Sequence, residues 1–154
     1  MKDFGPPELD FEGVTFAARA AFMGPGDSWG VELTMPFARA LPFYLRLGPT
    51  CGWFDVPKYY PDAWSEWASA QKTGDSAFDR ELRVVSADQA AQRSLLTPEV
   101  RKALVELHSK HERVHMTTES ISVRTKGMLV PQTFAEILRP LAEIEKMIDR
   151  STAR

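Results

Sequence analysis

"VHMTTESISVRTKG", Val114 to Gly127, decides the fold. It lies between two stretches with helical spacing. Read as helix, it would join them into one long rod. Its composition argues otherwise, because Thr, Ser, Val and Ile favour strands over helix. Apolar and polar residues alternate along it, and the alternation changes phase near Thr118 to Ser120. Two short strands joined by a turn are predicted.

Working outward, the segment before it reads as the first main helix. Asp88 is a plausible N-cap, and Thr97-Pro98-Glu99 is a second start signal. There Thr caps, Pro takes the first helical position and Glu favours the positive helix end. Val100, Ala103, Leu104 and Leu107 form an apolar stripe. "HSKHER", His108 to Arg113, suits a helix exit, with cations near the negative end of the dipole. After the strand pair, "LVPQTFAEILRPLAEIEKMIDR" carries the clearest helix. Phe134, Ile137, Leu138, Leu141, Ile144 and Ile148 make one stripe, Pro131 opens it, and Pro140 is expected to kink it.

The N-terminal half reads as strands. Residues 1–10, with Gly5, Pro6 and Pro7, look like an extended lead-in. "GVTFAARAAF" and "WGVELTMPF" are predicted to pair across the turn signal "GPGD", Gly24 to Asp27. In the second of these, Val31, Leu33 and Met35 alternate with Glu32 and Thr34. "FYLRLG", Phe43 to Gly48, is a third strand, and "FDRELRVVSA" a fourth with Leu82 and Val84 on one side. Pro36 and Pro42 belong at strand ends. The fold class is therefore α+β in one domain, residues 1–154. A mainly antiparallel sheet of about six strands carries two main helices on one face. Leu104, Leu107, Ile137, Leu138, Leu141 and Ile144 are expected to pack together on that sheet.

The sharpest chemical motif is "HERVH", His111 to His115, which matches H-E-x-x-H. On a helix, His111 and His115 would share a face and ligate zinc, with Glu112 as general base. That geometry needs a helix through His115 and a third ligand. The helix-exit composition opposes the first. No histidine follows His115, and nothing singles out Glu136, Glu143 or Glu145. His108, His111 and His115 would form an alternative metal set on an unbroken helix. The expectation is that no zinc binds and that no cofactor is needed, with the zinc hydrolase kept as the alternative.

Composition excludes other classes. The chain has 154 residues, a formal charge of −2 and a pI near 5.9. A nucleic-acid binder would show a basic excess. Apolar stretches are far too short for a membrane span, and the start lacks the order of a signal peptide. Cys51 is the only cysteine, which favours a reducing, cytoplasmic setting. Membrane association through a further segment or a partner stays open.

Residues 51–72 are an aromatic-rich elaboration, with a short helix expected from near Asp62. Trp53, Phe54, Tyr59, Tyr60, Trp64 and Trp67 are the candidate partner-binding residues, for a protein, glycan or lipid headgroup. The competing reading buries them as core or as cover for a sheet edge. Trp64 and Trp67 are expected to be buried, with Tyr59 or Tyr60 partly exposed. Asp75 and Asp79 in "GDSAFD" could hold a cation, but a turn in which Asp supports its own backbone is the expectation.

Thr73, Gly74, Asp75, Phe78 and Asp79, followed by Leu95, Leu96, Thr97, Pro98, Glu99 and Arg101, spell a T-G-D-x-x-F-D turn and an L-L-T-P-E-x-R helix start. In these motifs the last half of the chain resembles an uncharacterised bacterial domain. In that domain a strand pair and a final helix follow. The resemblance implies the soluble part of a small membrane-anchored protein and brings no catalytic residues. The aromatic segment and "HERVH" depart from its pattern. The resulting reading is a non-enzymatic accessory or interaction domain that contacts an unknown protein partner or itself. A zinc hydrolase is the first alternative, and a binding module using residues 53–67 the second.

Overall fold

The computed structural model describes residues 8–22, 29–50, 72–111, 113–126 and 131–152. Among them lie β1 (Glu8–Phe11), β2 (Val14–Phe22), β3 (Trp29–Pro36), β4 (Leu45–Pro49), β5 (Leu82–Ser86), β6 (Arg113–Met116) and β7 (Ser120–Lys126). The helices are α1 (Ser76–Glu81), α2 (Gln89–Leu95), α3 (Pro98–Lys110) and α4 (Pro131–Thr152). All strands join one seven-stranded antiparallel sheet in the order β1-β2-β3-β7-β6-β4-β5.

The predicted strand pair forms. Val114 lies opposite Val123 and Met116 opposite Ile121, and all four are buried. The Thr-rich turn between them is a hydrogen-bonding hub. Thr117 Oγ1 accepts from Glu119 N and Ser120 N, each at 3.2 Å. Thr118 accepts from Leu45 N through its side chain and from Leu41 N through its carbonyl. Its polar residues therefore tie the turn to the β3–β4 connection.

One face of the sheet carries the core. Phe16, Leu33, Met35, Leu47, Val84, Val114, Met116, Ile121 and Val123 form a single cluster with helix residues. Those include Phe78 of α1, Leu95 of α2, Leu104 and Leu107 of α3, and Ile137, Leu138, Leu141 and Ile144 of α4. The stripes expected to pack together do so, and each of these six α3 and α4 residues is buried. Strand alternation then sends Arg19, Glu32, Thr34, Ser122, Arg124, Arg113, His115 and Arg46 to the opposite face. Pro140 lies inside α4, which continues past it to Thr152. Arg139 of the same helix grips Glu12 through Nη2 at 2.7 Å, fastening the β1–β2 turn to the helix layer.

Four boundaries differ from expectation. The lead-in ends in a strand: β1 pairs with β2 across Glu12 and Gly13, both at positive φ. Such a two-residue turn matches the twist of a hairpin, so the sheet gains a seventh strand. In the predicted fourth strand, Phe78 to Glu81 is helical and only Leu82 to Ser86 is extended. Asp75 caps that helix by accepting from Phe78 N, which overrides the strand-like pattern. Both start signals before the first main helix are used. Asp88 accepts from Ala91 N and Thr97 from Val100 N, giving two helices broken at Leu96 and Thr97. The third strand begins at Leu45 rather than Phe43.

Candidate functional site

The three histidines do not converge. α3 ends at Lys110, and His111 is its C-cap with extended angles, φ −132° and ψ 168°. His115 sits two residues into β6. The helical i,i+4 geometry of H-E-x-x-H is therefore not formed, as the helix-exit composition predicts. Glu112 lies outside the described residues.

Each imidazole has its own surroundings. Burial pushes His108 down from its ordinary pKa, opposed by Glu81, and its Nδ1 is buried with no hydrogen-bond partner among the described residues. Burial also lowers His111, opposed by Glu136 of α4 and aided by Lys110. His115 is driven to about 4, first by burial and then by the charge of Arg124, with Glu32 opposing. His108 and His111 thus belong to the helix side, and His115 to the opposite sheet face. Among the described residues no cluster of three or more His, Cys, Asp or Glu side chains could hold a metal ion.

The residues that carry the resemblance do converge. Asp79 accepts from Thr73 N at 2.9 Å, Thr73 Oγ1 at 2.8 Å and Gly74 N at 3.1 Å. Gly74 takes φ 93°, a conformation only glycine adopts freely. Asp75 caps α1 and also receives Arg101 Nε at 2.9 Å, while Arg101 Nη1 donates to Leu96 O at 2.6 Å. The Arg101 hydrogen bond, seconded by Phe78 N, holds the Asp75 carboxyl below its ordinary range. Phe78, Leu95 and Leu96 fill the space beneath, fully buried. Both aspartates therefore support the backbone of their own turn, as expected. Removing the Asp79 acceptor by Asp79→Ala should cost about 1–2 kcal/mol in a denaturant titration. A value within error of zero would show that the loop holds without it.

The other charged constellation lies on the opposite sheet face. Glu32 is 7% exposed and stands opposite Arg19 on β2 and Arg124 on β7. Arg19 Nε donates at 2.8 Å and Arg124 Nε at 2.5 Å, one to each carboxylate oxygen. Burial alone would raise the Glu32 pKa, but the bonds and charges of both arginines outweigh it and leave it lowered. Arg113 continues this row across from Arg124. Arg46 and Arg83 share the face on β4 and β5, while Glu8 and Asp10 sit on β1 at the far edge. The alternation of Glu32 with Val31 and Leu33 foretold its face; its two arginine partners come from strands 13 and 92 residues away.

Trp53, Phe54, Tyr59, Tyr60, Trp64 and Trp67 lie outside the described residues, as do Cys51, the turn at Gly24 to Asp27 and the helix expected near Asp62. Among the described residues no helix is long and apolar enough to cross a membrane.

The chain matches no protein-family model, and no curated protein matches it. Among solved structures it is similar to the crystal structure of the mycobacterial trehalose monomycolate transport factor A, TtfA. The sequence identity is 8% and the TM-score 0.47, over 92% of this chain and 76% of that one.

Proposed function

We propose that this chain is a non-enzymatic interaction domain that meets an acidic protein surface with the helix-free face of its sheet. The observation that supports this most is the layout of charge on that face. Arg19, Arg46, Arg83 and Arg124 outnumber Glu32 across β2 to β5, although the chain as a whole is net negative. Glu32 orders the guanidinium groups of Arg19 and Arg124, and Arg19 and Arg83 are exposed at the surface. Complementary charge of this kind steers association and fixes register. The ionisable groups at the Asp75 and Asp79 turn serve structure instead. A cytoplasmic setting is part of this reading, and the single Cys51, which has no partner cysteine in the chain for a disulfide, supports it.

Photo-crosslinking tests the reading. A photoreactive residue at Thr34 or Arg83 should give one dominant protein adduct in cells, weakened by Arg46→Glu. The same residue at Lys102 on the helix side should not. Adducts from Lys102 alone, or from no position, would remove the sheet face as the contact. Zinc titration separates the enzymatic alternative: one-to-one saturation that shifts the His111 and His115 rings together would favour a hydrolase.

A further inference from the structure

A recess of about 30 Å³ lies where the loop before α1 meets α2 and the start of α3. Its walls are Lys72, Thr73, Gln89, Gln92, Arg93, Leu96 and Arg101. A water needs roughly 10–15 Å³ of such space, so a compact group fits and an extended molecule does not.

Three of these residues are cations, and they are held differently. Arg101 spends Nε on Asp75 and Nη1 on Leu96 O, which fixes its plane and leaves Nη2 over. Lys72 and Arg93 are exposed, and neither forms an ion pair among the described residues. Lys72 is anchored through the next residue, because Thr73 is bound twice by Asp79. Gln92 lines the same recess, is 7% exposed, and its Oε1 accepts from Ser86 Oγ at 2.7 Å. That bond orients the amide and leaves its Nε2–H₂ as a donor. Two carboxylates adjoin the recess: Asp75 is neutralised by Arg101, and Asp79 is occupied by the backbone and hydroxyl donors of Thr73 and Gly74. The recess therefore offers two uncommitted positive charges and fixed donors to something small and anionic.

We propose that this recess binds a phosphate group. Two unspent cations balance a dianion, and residues with hydrogen-bond donors from the α1 loop, α2 and α3 line the same recess. The knot of Thr73, Asp75, Asp79 and Arg101 then has a second role, holding Lys72 and Arg101 in place before the anion arrives. This site is on the helix side of the sheet and stands apart from the proposed partner face.

Amide NMR on the full chain tests it, with inorganic phosphate and glycerol 3-phosphate as probes and sodium chloride at matched ionic strength as control. Saturable shifts are expected at residues 72–73, 89–93 and 101 with phosphate and not with chloride. Tighter binding of glycerol 3-phosphate would assign the group to a phosphate ester, and equal binding to the free ion. Lys72→Gln and Arg93→Gln should each raise Kd about tenfold with unchanged melting, whereas Arg83→Gln on the sheet should leave Kd as it was. Shifts that fail to saturate, that chloride reproduces, or that Arg83→Gln weakens equally would overturn the proposal.

Discussion

Leu138→Ala should lower the unfolding free energy by about 2–5 kcal/mol. Leu138 is 1% exposed and sits in α4 beside Ile137 and Leu141, where the helix layer meets the sheet. Truncation removes the transfer energy of the lost methyl groups and adds a cavity. α4 is tied at several points, to Glu12 through Arg139 and to Ala38 N through Glu145, so it cannot easily settle into the gap. The expected loss therefore lies towards the upper part of the range. Ala142, half-buried in the same helix, provides a contrast: Ala142→Gly removes little apolar contact and should cost about 1 kcal/mol, mainly through helix propensity. Urea titrations of both variants measure the difference. A Leu138→Ala loss no larger than that of Ala142→Gly would mean that α4 does not seat on the sheet as described.

Acidification from pH 6.5 to 4 should destabilise the domain by up to about 3 kcal/mol through His115 alone. Its pKa falls from 6.5 in the unfolded chain to about 4 when folded, because burial and Arg124 disfavour the imidazolium. Between those values the unfolded chain holds the proton and the folded one does not. Stability therefore rises with pH across this window, is complete above 6.5 and is lost as pH falls towards 4. His108 and His111 are also lowered and act in the same direction. His115→Gln keeps a polar group on β6 but cannot titrate, so its stability should change less between pH 7 and 4 than that of the parent. Equal slopes would exclude His115 as the source. Glu32 acts in a separate range. Its folded pKa is depressed, so its contribution is present above the ordinary carboxylate value and disappears only as pH falls below it.

The strand pair at Val114 was legible because side-chain alternation and β-branched residues act locally. The same holds for α3: its Thr97-Pro98-Glu99 start and its stop before His111 are set by capping and by the helix dipole, both effects of a few neighbouring residues. The stripe of α4 predicted its buried face, since a helix of that length must hide it. β1 was harder to see. Glu8 to Phe11 becomes a strand only by pairing with Val14 to Ala17, and the Glu12-Gly13 turn that allows this is a weak signal beside Asn-Gly. α1 was missed because Phe78 to Leu82 fits a strand period, and the outcome depended on a cap at Asp75 that Arg101 braces from 26 residues away.

The motif "HERVH" shows where local reading ends. Its residues named a chemistry, but the backbone decided whether they could share it. Helical spacing would bring His111 and His115 together, whereas strand β6 carries His115 onto the face opposite the helices. Sequence alone determined the two ends of α3, the alternation and the core stripes, because each follows from contacts within a turn or two of the chain. Only the tertiary structure decided that Glu32 lies between Arg19 and Arg124, and that Lys72, Gln92, Arg93 and Arg101 line one recess. Those meetings depend on sheet order and on how helices seat over it. Such contacts come at the entropic cost of closing long loops, and local propensity carries no record of which loops close.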